Sequence, residues 1–140
     1  MCVFQRIKSS AAAAGTFEKG VYDYKDLVAQ MQAPAGGWKL YWDDTAQAAY
    51  VYDAAGDTFS SFENRASIAQ KSDWAERLGL GGMMFWDITG DALGTSESLV
   101  DAAYESWVLG DSMSTIRARS KLMAEVVVGG DGVIAALPTT

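Results

Sequence analysis

The sequence predicts an α/β fold that is incomplete by itself, on three observations. A helical segment at residues 64–78, an almost unbroken apolar run at 81–88 and a second helical segment at 96–108 follow one another. That order is the grammar of an α/β barrel or a doubly wound domain. Ahead of it lie short alternating segments bounded by turn residues, as in an antiparallel meander. One parallel-type strand with two helices leaves that strand without a parallel partner in the chain. A (β/α)8 barrel takes about 250 residues, against 140 here, so element counting reads the chain as the last third of a larger protein.

The elements follow in order. Residues 1–14 read as an irregular leader. Arg6 and Lys8 precede Ser9-Ser10-Ala11-Ala12-Ala13-Ala14, but that run is too short and too weakly apolar for the core of a secretory signal. Tyr24, Leu27, Val28 and Met31 form one helical stripe. Asp23 is placed to cap it, Asp26 adds charge to its first turn, and Pro34 with Gly36-Gly37 ends it. Strands are expected at 38–42, 49–52 and 58–62, separated by Asp43-Asp44-Thr45 and by Asp53-Ala54-Ala55-Gly56-Asp57. The helix at 64–78 carries Ile68, Ala75 and Leu78 on one face and stops at Gly79. The run Gly81-Gly82-Met83-Met84-Phe85-Trp86-Asp87-Ile88 predicts burial on both faces. Ser96 is placed to cap a last helix with the stripe Leu99, Val100, Ala103, Tyr104, Trp107 and Val108, ended by Gly110. Residues 111–140 read as a tail or linker, with a short helix around Arg117, Arg119 and Lys121.

Composition narrows the chemistry. Lys and Arg number 11 against 18 Asp and Glu, a net charge of −7, so there is no basic stripe to neutralise phosphates and no nucleic-acid partner is expected. No apolar run approaches the ~20 residues of a membrane span, and no membrane partner is expected. With no histidine there is no Ser-His-Asp triad, no Cys-His dyad and no His-containing zinc site. A single cysteine, Cys2, excludes an internal disulfide. No cofactor and no metal are expected. The 49% hydrophobic content forms a core, and Trp38, Trp42, Trp74, Trp86 and Trp107 supply rings that either pack in it or stack on sugars.

Gly81-Gly82-Met83-Met84-Phe85-Trp86-Asp87, preceded by a helix and followed by Gly90-Asp91, resembles the eighth barrel strand of a family-18 glycoside hydrolase, the chitinase family. Phe62-Glu63-Asn64-Arg65-Ala66-Ser67-Ile68-Ala69-Gln70-Lys71, continuing to Leu80, is similar to the helix leading into that strand. Gly15-Thr16-Phe17-Glu18-Lys19-Gly20-Val21-Tyr22-Asp23-Tyr24 resembles part of the small α+β insertion domain that walls the substrate cleft of deep-groove chitinases. Tyr41-Trp42-Asp43-Asp44-Thr45-Ala46-Gln47-Ala48-Ala49-Tyr50-Val51-Tyr52 resembles the strands that return from it. The resemblance covers residues 15–109. It implies the C-terminal fragment of a TIM (β/α)8 barrel, its last helix-strand-helix at 61–110, with the end of the insertion domain at 15–60.

The resemblance also implies hydrolysis of β-1,4 bonds between N-acetylglucosamine units with retention. One glutamic acid protonates the leaving oxygen and the sugar's own acetamido group attacks. That glutamate ends a DxxDxDxE motif, which this sequence lacks. The nearest string, Asp23-Tyr24-Lys25-Asp26-Leu27-Val28-Ala29-Gln30, has Val28 and Gln30 where the third Asp and the acid belong, and lies on a helix stripe. No catalytic residue is therefore assigned, and the chain alone is expected to be inactive.

The candidate substrate-binding residues are Trp86, Phe17 and Glu18. The resemblance implies Trp86 as the floor under the cleaved sugar, with a core tryptophan as the bland alternative. Phe17 and Glu18 are implied to line the cleft wall, the alternative for Glu18 being a solvated charge. Asp87 is implied to be structural, Trp107 reads as helix core, and Trp38, Trp42, Tyr50 and Tyr52 read as meander core. The partner is then chitin or N-acetylglucosamine oligosaccharides, with no specific protein partner, and a full-length parent would be extracellular. Two other readings stay open: a free-standing chitin- or oligosaccharide-binding protein, and a truncated reading frame without function.

Overall fold

Three hairpin-linked strands organise the fold: β4 (Trp38–Asp43), β5 (Ala48–Asp53) and β6 (Thr58–Phe62). The two turns close as their aspartates dictate. Asp43 Oδ1 accepts from the backbone N–H groups of Thr45 and Ala46 at 2.8 and 2.9 Å, and Asp53 Oδ1 accepts from that of Ala55 at 3.0 Å. The register pairs Leu40 with Val51 and Trp42 with Ala49 on one face, and Tyr41 with Tyr50 on the other. The first face is buried. On the second, Tyr41 stacks on Tyr50 with ring centroids 5.1 Å apart, and Phe59 follows at 5.4 Å from Tyr50.

The structure, a computed structural model, describes residues 2–4, 6–9, 16–34, 37–120, 126–128 and 133–136. The meander is the centre of an antiparallel sheet completed by β2 (Arg6–Ser9), β3 (Val21–Asp23), β8 (Val126–Val128) and β9 (Val133–Ala136), in the order β3-β2-β6-β5-β4-β9-β8. Helix α1 (Tyr24–Gln32) buries Tyr24, Leu27 and Val28. Asp23 holds its N-cap position but makes no side-chain cap bond. Helix α2 (Arg65–Arg77) opens with a reciprocal capping box: Asn64 accepts from the Ser67 N–H and the Ser67 hydroxyl accepts from that of Asn64. It ends at Gly79, whose φ of +68° is the left-handed stop. Helix α3 (Leu99–Trp107) is capped by Ser98 rather than Ser96. The short α4 (Met113–Arg119) follows. One buried cluster joins the meander, α1, α2 and α3.

Six expectations are corrected. Residues 1–14 are not an irregular leader throughout, since β1 (Cys2–Phe4) and β2 lie there. Residues 111–140 are likewise more than a tail, because β8 and β9 join the sheet beside β4. The strand at the apolar run is only β7 (Met84–Trp86), and it does have a parallel partner: Cys2 sits opposite Met84, Val3 opposite Phe85 and Phe4 opposite Trp86. Nor is it buried on both faces, because Phe85 turns toward the core while Met84 and Trp86 are exposed. A paired strand covers an edge and not a face, so β7 is buried only on the side that packs against the core, that of Phe85. Finally, α3 is rotated about its axis. It buries Leu99, Ala102, Ala103 and Ser106, while Tyr104 and Val108 are 54% and 60% exposed and Trp107 is half-buried. Leu78, expected on the inner face of α2, is exposed as well.

Candidate functional site

Trp86 ends β7, and the alternation that sends Phe85 inward sends the Trp86 ring outward, 57% exposed. The peptide bond from Trp86 to Asp87 is cis. The chain then turns sharply through a 3-10 helix, Ile88–Gly90. The Asp87 carboxylate closes this turn by accepting from the Thr89 N–H at 3.0 Å and from the Thr89 hydroxyl. A carboxylate engaged in this way braces the backbone beneath the tryptophan.

Phe17 and Glu18 share one tight loop. The backbone N–H groups of Thr16, Phe17 and Glu18 all point at the Val21 carbonyl, and Val21 N–H returns to Glu18 O at 2.8 Å. Gly20, at φ +78°, makes the reversal without a Cβ clash. Both side chains are exposed, Phe17 at 48%. The loop thus brings two of the three candidates together, while Trp86 stands apart on β7.

The first turn of α1 links the two. Tyr24, fully buried, donates its hydroxyl to the Glu97 carbonyl at 2.9 Å and stacks on Phe62 at 6.2 Å. Burial, then the Glu97 and Asp91 charges, hold its phenol well above its ordinary pKa. Lys25 donates to the Thr89 carbonyl at 2.7 Å, in the turn just after Trp86. Beneath lies a polar layer. Asp91 accepts from Ser98 Oγ and from the Leu99 and Val100 N–H groups at 2.9–3.2 Å, satisfying the start of α3. The buried Glu97 carboxylate accepts from Ser120 Oγ at 2.7 Å. Sequence reasoning treated Tyr24 as stripe and left Lys25 and Glu97 unassigned. The Lys25 and Tyr24 contacts cross 64 and 73 residues, and that of the Glu97 carboxylate with Ser120 crosses 23, all beyond any local spacing signal.

The remaining aromatic residues divide. Trp42 is core, and half-buried Trp38 packs edge-on to Tyr22 and donates to Gln30 Oε1 at 3.1 Å. Tyr50 and Tyr52 are half-buried; the Tyr50 ring stacks on the outer sheet face and the Tyr52 hydroxyl donates to Asp57 at 2.9 Å. Trp74 is exposed beside a hollow of about 370 Å³ that also borders Gln47, Gln70 and Arg77, and none of the three candidates lines it. Among the described residues no group of three or more His, Cys, Asp or Glu could hold a metal ion. No helix among them is long and apolar enough to cross a membrane.

The family model of glycosyl hydrolases family 18 matches residues 4–91. Chitinase A1 of Niallia circulans is 34% identical over 94 residues, which are 67% of this chain and 13% of that protein. Chitinase 1 of Aphanocladium album is 36% identical over 73% of this chain and 22% of its own length. Among solved structures, chitinase ChiA74 from Bacillus thuringiensis superposes with a TM-score of 0.66 at 26% identity, over 76% of this chain and 22% of that one. The Ostrinia furnacalis group IV chitinase shares the fold over 80% of this chain and 35% of its own, with a TM-score of 0.67 at 20% identity. The chain therefore spans about an eighth to a fifth of the curated relatives' length.

Proposed function

This chain belongs to glycosyl hydrolase family 18, and on that premise we propose that it is the C-terminal portion of a chitinase acting on β-1,4-linked N-acetylglucosamine polymers by substrate-assisted retaining hydrolysis. Residues 61–110 supply the last helix-strand-helix of a (β/α)8 barrel, and residues 15–60 the end of an insertion domain forming one cleft wall. The observation that carries the reading is Trp86: an exposed indole at the C-terminal end of a parallel strand, the end at which barrel enzymes place their sites.

Each residue has a physical task. The flat Trp86 ring takes the C–H-rich face of a pyranose and excludes water from it. Phe17 offers a second ring, and the Glu18 carboxylate accepts hydrogen bonds from sugar hydroxyls. The sequence carries no DxxDxDxE glutamate to protonate the glycosidic oxygen, and without that proton acetamido attack has no competent leaving group. The chain alone therefore binds without turning over. A binding-only role is the second reading, favoured by the same missing motif. The full-length protein would work outside the cell, where its polymer lies.

The test is titration of the purified chain with chitin oligosaccharides, followed by tryptophan fluorescence. Trp86→Ala should weaken binding about tenfold and Trp107→Ala little, since loss of one stacked ring is worth on the order of 1 kcal/mol. Equal losses would reject the site. Hydrolysis that survives repurification and disappears with a substitution in this chain would reject the inactivity.

A further inference from the structure

The Phe17/Glu18 loop and the Trp86 turn are connected by hydrogen bonds made on either side of the first turn of α1, whose backbone joins them. Thr16 Oγ1, at the start of the loop, accepts from the Asp23 N–H at 3.0 Å. Asp23 is the N-cap of α1, and the next two residues each cross to the other half of the molecule. Tyr24 reaches the Glu97 carbonyl, and Lys25 reaches the Thr89 carbonyl at 2.7 Å. Thr89 in turn is bonded to the Asp87 carboxylate beside Trp86. The two crossings differ in kind. Tyr24 is buried, and removing it disturbs the core. Lys25 has 45% of its side chain exposed, so its ammonium is not needed to fill space. A long, entropically costly side chain is nonetheless held across 64 residues of sequence on a backbone carbonyl, with the Asp23 carboxylate 3.7 Å away.

We propose that Lys25 is a positioning residue for oligosaccharide length: a strut that fixes the spacing between the Trp86 floor and the Phe17/Glu18 wall. This rests on the sugar-site reading above. A ligand that touches only the floor is indifferent to that spacing. A ligand long enough to engage floor and wall together gains its second set of contacts only when the spacing is held, because a fixed spacing spares the ordering cost on binding. Lys25 touches no sugar in this scheme and acts through the Thr89 carbonyl alone.

The experiment compares wild type with Lys25→Met, which keeps the stem and removes the charge, and with Lys25→Arg, which restores a cationic donor. Calorimetric titrations use the di- and pentasaccharide of N-acetylglucosamine. Lys25→Met should weaken pentasaccharide binding on the order of tenfold, the equivalent of one charge-assisted hydrogen bond. Disaccharide binding should stay within about twofold, and Lys25→Arg should recover most of the loss. Loss that is the same for both lengths, or no loss, overturns the proposal. In parallel, the chains are labelled with 5-fluorotryptophan, and the Trp86 resonance is assigned with Trp86→Phe. In sugar-free protein, Lys25→Met should shift or broaden the Trp86 signal and leave that of Trp107 in place; an unchanged Trp86 signal also overturns the strut. If wild type binds neither sugar, the site reading falls, and the fluorine spectrum alone decides whether the strut holds the Trp86 turn.

Discussion

Tyr24 and Arg65 are two residues whose roles a hydrophobic pattern does not show. The Tyr24 phenol is buried next to Glu97 and Asp91, so its pKa is raised, and the fold needs it protonated. The sign follows: a phenol raised in the folded state stabilises fully below its unfolded pKa of about 10, and that stability is lost as pH climbs through the native value. Urea unfolding between pH 8 and 11 should show wild type losing stability steeply above about pH 10. Tyr24→Phe should start roughly 1 kcal/mol lower, for one lost hydrogen bond, and decline less steeply. Tyr50 and Tyr52 are raised too and leave it a residual slope. Equal slopes would show that Tyr24 is not the responsible group. Arg65 is buried, donating to the Ser98 carbonyl at 2.8 Å and to Glu105 at 2.7 Å. Its Nε has no partner among the described residues, and its ion pair is with Glu105, which also pairs with Arg119 at 3.0 Å. Glu105→Gln should cost about 3 kcal/mol in the same assay, because it leaves a buried cation uncompensated; a cost below about 1 kcal/mol would mean that water reaches it.

At the scale of elements, the meander and α2 were legible because each carries its own local chemistry: Asp43 and Asp53 write their turns, and Asn64 with Ser67 writes a cap. Helix α3 was placed but misphased. Its larger residues Val100, Tyr104 and Trp107 outvote its small ones in any hydrophobic count, yet beyond Leu99 it buries Ala102, Ala103 and Ser106. The reason lies on α2, which presents Ala66, Ala69, Ser72 and Ala75 as buried residues. Small residues on both helices let the backbones approach closely enough for Ser106 Oγ to donate to the Ala69 carbonyl at 3.3 Å. No pattern on α3 alone contains that information. Ala102→Leu, which helical hydrophobicity would welcome, should therefore destabilise by about 1–3 kcal/mol through overpacking. Tyr104→Ala, on the exposed face, should stay within about 0.5 kcal/mol. Denaturant midpoints at unchanged m-value check both, and the reverse ranking would restore the stripe that the sequence suggested.

At the scale of the whole molecule, the candidate residues were legible only as separate segments, because the bonds that join the first turn of α1 to Glu97 and to the turn after Trp86 cross 73 and 64 residues of sequence. The same long-range dependence shows in what the fold leaves uncovered. Met84, Trp86, Ile88 and Leu93 are about half exposed along β7 and the turn after it, and Leu80, Tyr104, Val108 and Leu109 are exposed around the ends of α2 and α3. Single exposed apolar residues are ordinary, but groups of them mark surfaces that associate. Against association stands a net charge of −7, whose repulsion acts over about 10 Å at 0.1 M salt and about 3 Å at 1 M. Apolar contact needs no such range and is not screened, so the balance must tip with ionic strength. Sedimentation velocity should find mainly monomer at low salt and a growing dimer or larger fraction toward 1 M sodium chloride, with hydrophobic dye binding falling as contacts form. Ile88→Glu and Val108→Glu each add charge where apolar contact would form, so the variant that holds the chain monomeric at high salt identifies the surface responsible. A monomer at every salt concentration, with little dye bound, would show that these side chains pack in solution more closely than their exposure indicates.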